Sequence, residues 1–249
     1  MKRILHFMPL LVVMLLVGCS QPRQMRIMSY NIHICKGMDK ALDVERTAEV
    51  IKRVNPDFVG LQEVDSVAQR SDFVDQAKEL GRLTGMHYFF APAKEHKNGG
   101  LYGVAALVKQ KPKSFKYLPL PGAEEVRTFL ILEYDDYLLC NTHFSLRSPS
   151  RKESIEIIKK AMAEYGKPAI LTGDFNMLPT SEETQQMLSD WQVLSDTTKF
   201  TFPSKGPRRT IDYIWGYGKD NKYEVLNYEV LNEPITSDHQ PLYADIRFW

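Results

Sequence analysis

Several apolar runs of the sequence end in a residue that can hold a proton, a metal ion or a phosphate oxygen. These residues are Asn31, His33, Glu63, Asn141, His143, Asp174, Asn176, Asp212, Asp238 and His239. Taken singly, each is more often a turn cap, a solvated carboxylate or a hydrogen-bonded histidine. Taken together, these residues need binding partners, because burying a carboxylate without a partner costs several kcal/mol of folding free energy. We therefore expect the strand ends to converge on one polar site.

The stretch LTGDFNMLPT, residues 171–180, shows how one strand contributes to such a site. Its apolar beginning predicts a buried strand that ends near Gly173, with Pro179 in the following loop. Because side chains alternate along a strand, Asp174 and Asn176 are expected on one side and Phe175 on the other. Both polar groups then face the same site.

Oxygen donors dominate the set. Glu63 and Asp238 offer carboxylates and Asn31 offers an amide oxygen, which are the ligands that Mg²⁺ or Mn²⁺ prefers. The sequence contains no Cys-x-x-Cys or His-x-x-x-His spacing typical of zinc, no glycine-rich phosphate loop and no G-x-S-x-G motif. The pattern therefore favours magnesium or manganese chemistry over zinc or a serine nucleophile.

Nine strands and four helices are predicted to position these residues. The strands are residues 25–33, 57–64, 87–93, 102–109, 127–134, 137–144, 168–175, 210–217 and 241–248. The helices are residues 41–54, 71–85, 150–166 and a segment near 180–191. The second helix is expected to bury Phe73, Ala77, Leu80 and Leu83. Many strands show little alternation, which indicates sheets covered on both faces by helices, in an α/β or α+β class with much antiparallel pairing.

The order of these residues resembles the endonuclease/exonuclease/phosphatase superfamily. That order is Asn31, Glu63, His143, GDFN at 173–176, Asp212 and SDH at 237–239. QEVD at 62–65, Arg70 and GGLYG at 99–103 further resemble a bacterial branch of it. The resemblance covers residues 25–249. It implies a DNase-I-like four-layer sandwich, with two mostly antiparallel β-sheets packed face to face, helices on the outer faces and the site at one end.

The same resemblance implies hydrolysis of a phosphoric ester by in-line attack of water. In this scheme Glu63 holds Mg²⁺ or Mn²⁺, with Asn31 and Asp238 near the metal. Asp174 aligns and deprotonates the attacking water. This division of labour agrees with the physical need for a positioned, deprotonated water and for stabilisation of spreading negative charge.

The remaining implied roles concern the phosphoryl group. His239, oriented by Asp212, acts on that group or serves as general base, and a neighbouring carboxylate favours its charged form. Asn176 and His143 donate hydrogen bonds to phosphoryl oxygens, and His143 equally suits the leaving-group side. His33 stands where some nucleases of the superfamily carry a carboxylate, so it is expected to contact substrate in place of a second metal.

Substrate contacts are expected from the loops around the site, three of which are rich in Lys and Arg. The candidates are Arg127, Arg70, Tyr102, His33 and Arg209. Basic surface loops are common without any ligand, and a structural turn is an equal interpretation of the segment around Tyr102.

The N-terminal segment is typical of a bacterial lipoprotein signal. A basic start precedes an apolar stretch over residues 8–17, which is shorter than the roughly 20 residues of a membrane-spanning helix. LVGC at 16–19 resembles a lipobox, in which Cys19 becomes the lipidated first residue; a plain secretion signal is the alternative. We expect residues 1–18 to be a signal peptide, 19–25 a tether and 26–249 one domain, held outside the cytoplasm at a membrane surface.

The charge of the chain limits its partners. It has 32 basic and 31 acidic side chains, and without the signal peptide 30 and 31. This balance argues against a general nucleic-acid coat protein. The function expected is a metal-dependent phosphodiesterase, acting as a monomer on a lipid head group or small extracytoplasmic ester. The alternatives are a nuclease, an inositol-phosphate-type phosphomonoesterase and a catalytically silent binding lipoprotein. Cys35 and Cys140 leave the question of a disulfide open.

Overall fold

The computed structural model of the protein describes residues 22–249. Its strands are β1 (Arg23–Asn31), β2 (Phe58–Ser66), β3 (His87–Glu95), β4 (Leu101–Val108), β5 (Ser114–Leu120), β6 (Arg127–Glu133), β7 (Leu138–His143), β8 (Ala169–Asp174), β9 (Trp191–Val193), β10 (Asp212–Tyr217), β11 (Tyr223–Val230) and β12 (Leu242–Phe248). Its α-helices are α1 (Val44–Val54), α2 (Gln76–Thr84), α3 (Ser148–Tyr165) and α4 (Glu182–Met187).

The strands form two six-stranded sheets with the same plan. Their orders are β11-β12-β1-β2-β4-β3 and β5-β6-β7-β8-β10-β9. Each sheet has one parallel pair, β1 with β2 and β7 with β8, while the other pairs are antiparallel. A parallel pair needs a crossover connection, which α1 and α3 provide. The carboxyl ends of the parallel strands therefore share an edge with the first residues of their antiparallel neighbours.

Alternating apolar side chains build three layers of core. Ile27 lies in the cluster between the sheets, whereas its neighbour Met28 packs with Ile51 of α1 and Leu80 of α2 on the outer face of the first sheet. Ile158 of α3 lies in the cluster that covers the outer face of the second sheet. Fully burying such a side chain contributes roughly 1.5–3 kcal/mol. The order of layers is helix, sheet, sheet, helix, which confirms the predicted sandwich.

The second helix is shorter than its apolar spacing predicts. The Asp75 side chain accepts a hydrogen bond from Lys78 N and so fixes the helix start at Gln76. Phe73 precedes this cap in a left-handed conformation (φ 57°) and is 61% exposed. The expectation that Phe73 lies on the buried face was therefore wrong. The Asp75 cap sets where the helix begins, although the apolar spacing continues before it.

Three strands escaped the sequence interpretation, namely β5, β9 and β11. All three lie at the edge of a sheet. The side chains of β5 and β11 are mostly exposed, so these strands lack the apolar run by which interior strands are recognised. The nine predicted strands are all present.

The N-terminal end of the domain lies earlier than predicted. β1 begins at Arg23, which pairs with Phe248 of β12, so residues 23–25 belong to the first strand and not to the tether. The predicted signal peptide and Cys19 lie outside the described residues. Within residues 22–249, no helix is long and apolar enough to cross a membrane. Cys35 and Cys140 are buried free thiols in different core layers.

Candidate active site

A cavity of about 490 Å³ lies at the edge where the carboxyl ends of the parallel strands meet. Its lining includes Glu63, Arg70, Tyr102, Arg127, His143, Asp174, Asn176, Arg209, Asp238 and His239. Asn31 and Asp212 lie directly behind this lining and hydrogen-bond to it. The volume suits a small-molecule ligand. The predicted convergence of the strand ends is therefore present in the fold.

Strand register explains why these side chains meet. Asn31 ends β1, and His143 at the end of β7 pairs in register with Asp174 at the end of β8. Asp212 begins β10 directly opposite Asp174, because those strands run antiparallel. Strand pairing thus brings residues of β7, β8 and β10 together, and the face-to-face packing of the two sheets adds Asn31 of β1.

His239 and Asp212 form a buried pair. The Nδ1 atom of His239 lies 3.0 Å from Asp212 Oδ2, and Thr201 Oγ donates to the same oxygen at 2.6 Å. The Phe202 ring packs against the imidazole with 4.6 Å between ring centroids. Burial opposes protonation, but the charges of Asp212 and then Asp174 outweigh it and raise the pKa of His239 to about 10. The imidazole is therefore held as a cation at neutral pH.

Asp174 lies beside this cation in the wall of the cavity. Its Oδ2 lies 3.6 Å from His239 Nε2, and it accepts hydrogen bonds from Asn31 Nδ2 at 3.1 Å and from the backbone N–H of Asn176 at 3.0 Å. Burial, followed by the charge of Asp212, raises its pKa to about 7. A carboxylate with a pKa near the working pH is suited to accept a proton.

His143 is held neutral with one donor available. Its Nδ1 lies 3.1 Å from Arg127 Nη1, and because a guanidinium only donates, this contact assigns the ring proton to Nε2, which also lies 3.2 Å from Asn176 Nδ2. Nε2 lies 3.4 Å from Asp174 Oδ2. Burial, then the charges of Arg127 and His239, hold the pKa of His143 well below its usual range. This tautomer fits the predicted role as a hydrogen-bond donor.

Arg127 is engaged within the protein. Besides His143, its guanidinium contacts Glu124 Oε1 and Glu125 Oε1, each at 3.0 Å. Sequence reasoning missed both glutamates, although they directly precede β6. Arg127 therefore positions His143, and the predicted contact of Arg127 with substrate stays a prediction.

Asn31, Glu63 and Asp238 fit a divalent cation. Asn31 Nδ2 lies 3.2 Å from Glu63 Oε1, and Glu63 sits at the bulge of β2 in a left-handed conformation (φ 56°) that aims it into the cavity. Ser237 Oγ donates to Asn31 O at 2.7 Å and ties the neighbouring Asp238 to the end of β1. Across residues 22–249, neither Glu63 nor Asp238 has an ion-pair partner. Two carboxylates without an ion-pair partner suit a hard metal ion, and the Asn31 amide oxygen, which accepts from the backbone N–H of His33 at 3.1 Å, lies close to them.

A second group meets the distance requirement for a metal. Asp174, Asp212 and His239 bring ligand atoms within 4.8 Å of one another, so this cluster could hold an ion. The two carboxylates of this group are already paired with His239. Glu63 and Asp238 have no such partner among the described residues, which favours the group that contains Glu63.

Arg70 and Tyr102 form one wall of the cavity. The Arg70 guanidinium lies 5.1 Å from the Tyr102 ring centroid and makes two 2.8 Å hydrogen bonds to the buried carboxylate of Asp65. Lys94 Nζ lies 4.9 Å from the same ring. Sequence reasoning identified Arg70 and Tyr102 but missed Asp65 and Lys94 as their partners.

Of the two remaining residues predicted to contact substrate, Arg209 lines the cavity and His33 does not. Arg209 lines the cavity and stacks on Phe202, with 4.7 Å between its Cζ and the ring centroid. His33 is not among the lining residues, and its Nδ1 lies 2.9 Å from Lys36 O. The structure therefore places His33 outside the site that it was predicted to join.

The reason given for the orientation of Asn176 was wrong. β8 ends at Asp174, and Asn176 follows with a left-handed backbone (φ 50°), so strand alternation does not apply to it. A turn brings Asn176 to the cavity, where its Nδ2 donates to Phe144 O at 3.1 Å. Phe175 is fully buried, as predicted.

Asn141 belongs to the core and not to the site. Its Nδ2 donates to Leu61 O and Ala105 O at 2.8 Å each, and its Oδ1 accepts from Gln62 at 2.7 Å. These bonds link the two sheets.

The fold and the motif order both match known proteins. The family model described as the Endonuclease/Exonuclease/phosphatase family matches residues 28–239. An endonuclease/exonuclease/phosphatase from Bacteroides vulgatus superposes with a TM-score of 0.76 at 20% identity, covering 91% of this chain and all of that one. Among curated proteins, none matches this chain.

Two further structures share the fold. A mannosyl-6-phosphatase from Bacteroides thetaiotaomicron superposes with a TM-score of 0.71 at 20% identity, over 89% of this chain and 98% of that chain. The catalytic domain of human nocturnin, with a bound sulfate anion, superposes with a TM-score of 0.68 at 24% identity, over 91% and 94%. By its motifs, its sandwich and the match over most of its length, the chain belongs to the endonuclease/exonuclease/phosphatase family.

Proposed function

We propose that the protein is a Mg²⁺- or Mn²⁺-dependent phosphodiesterase that cleaves a small extracytoplasmic phosphodiester by in-line attack of water. Its family hydrolyses phosphoric esters. The observation that carries the proposal is the proximity of Asp174 and protonated His239, 3.6 Å apart, in the cavity that also holds Glu63. A proton acceptor and a fixed cation then lie side by side, where both can face one phosphate.

Each side chain has a defined task in this reaction. Asp174 accepts the proton of the attacking water, while Asn31 holds the carboxylate in place. His239, fixed by Asp212, and the Nε2–H of His143 stabilise the charge that develops on the phosphoryl oxygens. Glu63, Asn31 and Asp238 would hold a Mg²⁺ or Mn²⁺ ion, which when bound would supply Lewis-acid stabilisation of that charge.

The charge balance of the cavity supports a diester over a monoester. Arg70, Lys94 and Arg127 are each paired with carboxylates. His239 is likewise paired, with Asp212, so among the lining residues of the described chain Arg209 is the cation without a carboxylate partner. A single unpaired cation suits a singly charged diester better than a doubly charged monoester.

The position of β1 supports a diffusible substrate. Arg23 begins β1 and Asn31 ends it at the cavity, so the chain that precedes Arg23 joins the domain roughly 26 Å from the site, at about 3.3 Å per residue. A membrane anchor at Cys19 would then hold the cavity away from its own bilayer. This geometry favours a small soluble ester over a lipid head group of the same membrane.

The test is an assay of the chain from Ser20 to Trp249 with bis(p-nitrophenyl) phosphate and p-nitrophenyl phosphate, each with Mg²⁺, Mn²⁺ or EDTA. Metal-dependent turnover of the diester supports the proposal. Turnover of the monoester alone would make the protein a phosphomonoesterase, the activity named for its structural neighbour from Bacteroides thetaiotaomicron. Cleavage of DNA without turnover of small diesters would make it a nuclease.

Removal of the metal should abolish turnover. We expect Glu63→Gln to lower metal affinity about 10- to 100-fold, because a neutral amide replaces a charged ligand. Isothermal titration with Mn²⁺ measures this change apart from activity. Glu153→Gln on the exposed face of α3 is the matched control. Equal Mn²⁺ affinity in Glu63→Gln and wild type would place the metal elsewhere.

The pH profile should show a broad plateau. Turnover requires deprotonated Asp174 and protonated His239, whose pKa values are about 7 and about 10. Activity should therefore rise as the pH passes 7 and fall as the pH rises through 10. Steady-state kcat with Mg²⁺ over pH 5–11 measures both limbs. An activity that declines already between pH 7 and 8 would contradict a protonated His239.

We further propose that Cys19 is lipidated and holds the domain on the outer side of a bacterial membrane. The lipobox-like LVGC segment supports this proposal. Mass spectrometry of the N-terminus tests it, and an unmodified first residue downstream of Cys19 would refute it.

A further inference from the structure

A second cavity of about 550 Å³ opens beside the active site. Its walls are the segment Ala68–Arg70 and the segment His96–Gly99. Arg70 lines this side cavity and the active-site cavity alike. The His96 ring also lies 6.3 Å, between centroids, from the ring of Tyr102 in the active-site wall. The two cavities are therefore neighbours that share one wall.

Specific contacts join the two walls of the side cavity. Asn98 Nδ2 donates to Gln69 Oε1 at 3.1 Å across the cavity edge. Gly100 has a left-handed backbone (φ 84°), and a Cβ atom there would lie 2.5 Å from Ala68 Cα. Only glycine permits so close an approach of the two segments. The cavity is thus a defined feature of the two loops.

The lining of the side cavity carries excess positive charge. The buried carboxylate of Asp65 is matched by the guanidinium of Arg70, through two hydrogen bonds of 2.8 Å, and lies 3.2 Å from His96 Nε2. Lys97 is exposed, and the described part of the chain offers it neither an ion pair nor a side-chain hydrogen bond. An ammonium group without a partner at the mouth of a cavity is available for an anion.

We propose that the side cavity is an anion subsite, in which Lys97 and the Arg70–His96 wall bind a second acidic group of the substrate, either a phosphate or a carboxylate. This inference rests on the proposed function, since it places one substituent of the diester beyond Arg70 while the ester phosphate sits at His239. The natural substrate is then a diester in which one of the two alcohol substituents, the one that lies beyond Arg70, carries its own negative charge.

Two matched pairs of substrates test the subsite. The p-nitrophenyl phosphodiesters of glycerol and of glycerol 3-phosphate differ by one phosphate, and those of ethanolamine and of serine differ by one carboxylate. We expect wild type to have the lower KM for the acidic member of at least one pair. In Lys97→Ala this preference, measured as the ratio of kcat/KM values within a pair, should fall about fivefold, chiefly through KM.

The controls separate a local contact from general charge. Lys111→Ala removes another exposed lysine, at the opposite end of β4, and should retain the preference. Lys97→Arg should also retain it, and 0.5 M salt should weaken it. No preference in either pair, or an equal loss of preference in Lys111→Ala, would overturn the subsite.

A binding measurement keeps this inference distinct from the proposed activity. Glycerol 1,3-bisphosphate is titrated calorimetrically into wild type and into Lys97→Ala, with Mg²⁺ present. Weaker binding by Lys97→Ala supports the subsite even if no diester is turned over. Equal affinity of the two proteins would refute it even if diester turnover is found.

Discussion

Replacing Asp174 by Asn should lower kcat about 10²- to 10⁴-fold, the range for loss of a general base. Asn has almost the same shape and can keep the hydrogen bond to the Asn176 N–H, but it cannot accept the proton of the attacking water. The fold should persist, because Asp174 ends β8 and its backbone pairing with Asp212 and His143 is unaffected. Turnover of bis(p-nitrophenyl) phosphate measures the effect, and a loss of less than tenfold would remove Asp174 from this role.

The same substitution should stabilise the protein while it removes activity. The folded-state pKa of Asp174, about 7, lies above its usual value of 3.8, so its ionised form is disfavoured in the folded state. The cost of ionising Asp174 in the folded state lowers the free energy of unfolding above pH 7. This cost disappears as the pH falls below both the folded-state pKa and the usual pKa. Thermal unfolding in EDTA should therefore show a higher Tm for Asp174→Asn at pH 8 and little difference near pH 3. A lower Tm at pH 8 would contradict the assigned burial penalty.

His239 and Asp212 should behave as one unit when each is replaced. His239→Ala should lower kcat about 10²- to 10⁴-fold, because it removes the cation that faces the phosphate. Asp212→Asn leaves the ring in place but removes the charge that raises the pKa of His239. It should lower kcat strongly and shift the alkaline limb of the pH profile to lower pH.

The double variant distinguishes coupling from two separate effects. If Asp212 acts through His239, then His239→Ala with Asp212→Asn should be little slower than His239→Ala alone. Asp245→Asn, which removes a carboxylate that pairs with Arg26 far from the cavity, is the control and should retain kcat. Losses that multiply in the double variant would show that Asp212 contributes independently.

Most strands and the residues at their ends were predictable. Apolar runs marked all eight interior strands and the edge strand β3, and six of the nine, β2, β4, β6, β7, β8 and β10, are buried along almost their whole length. Asn31, Glu63, His143, Asp174, Asp212, Asp238 and His239 stood out because a polar group that ends a buried run needs compensation. The edge strands β5 and β11 were not predictable in this way, since most of their side chains meet solvent.

The partners of the site residues were not predictable. Sequence identified Arg127, but only the fold brings its guanidinium to His143 and to Glu124 and Glu125. In the same way, Arg70 was identified without Asp65. His33 was expected in the site because it stands where some nucleases of the superfamily carry a carboxylate, yet its left-handed backbone (φ 45°) and the Lys36 carbonyl hold it elsewhere.

Sequence alone determined which chemical groups are present and which ends of the chain's strands they occupy, because burial and periodicity are local properties. Tertiary structure alone decided which groups face one another. Asn31 and Asp174 are 143 residues apart in sequence and meet through one hydrogen bond. Such a contact depends on how the two sheets pack face to face, because β1 and β8 belong to different sheets, and no local pattern encodes that packing. The raised pKa of Asp174 and the positive charge of His239 follow from such long-range contacts.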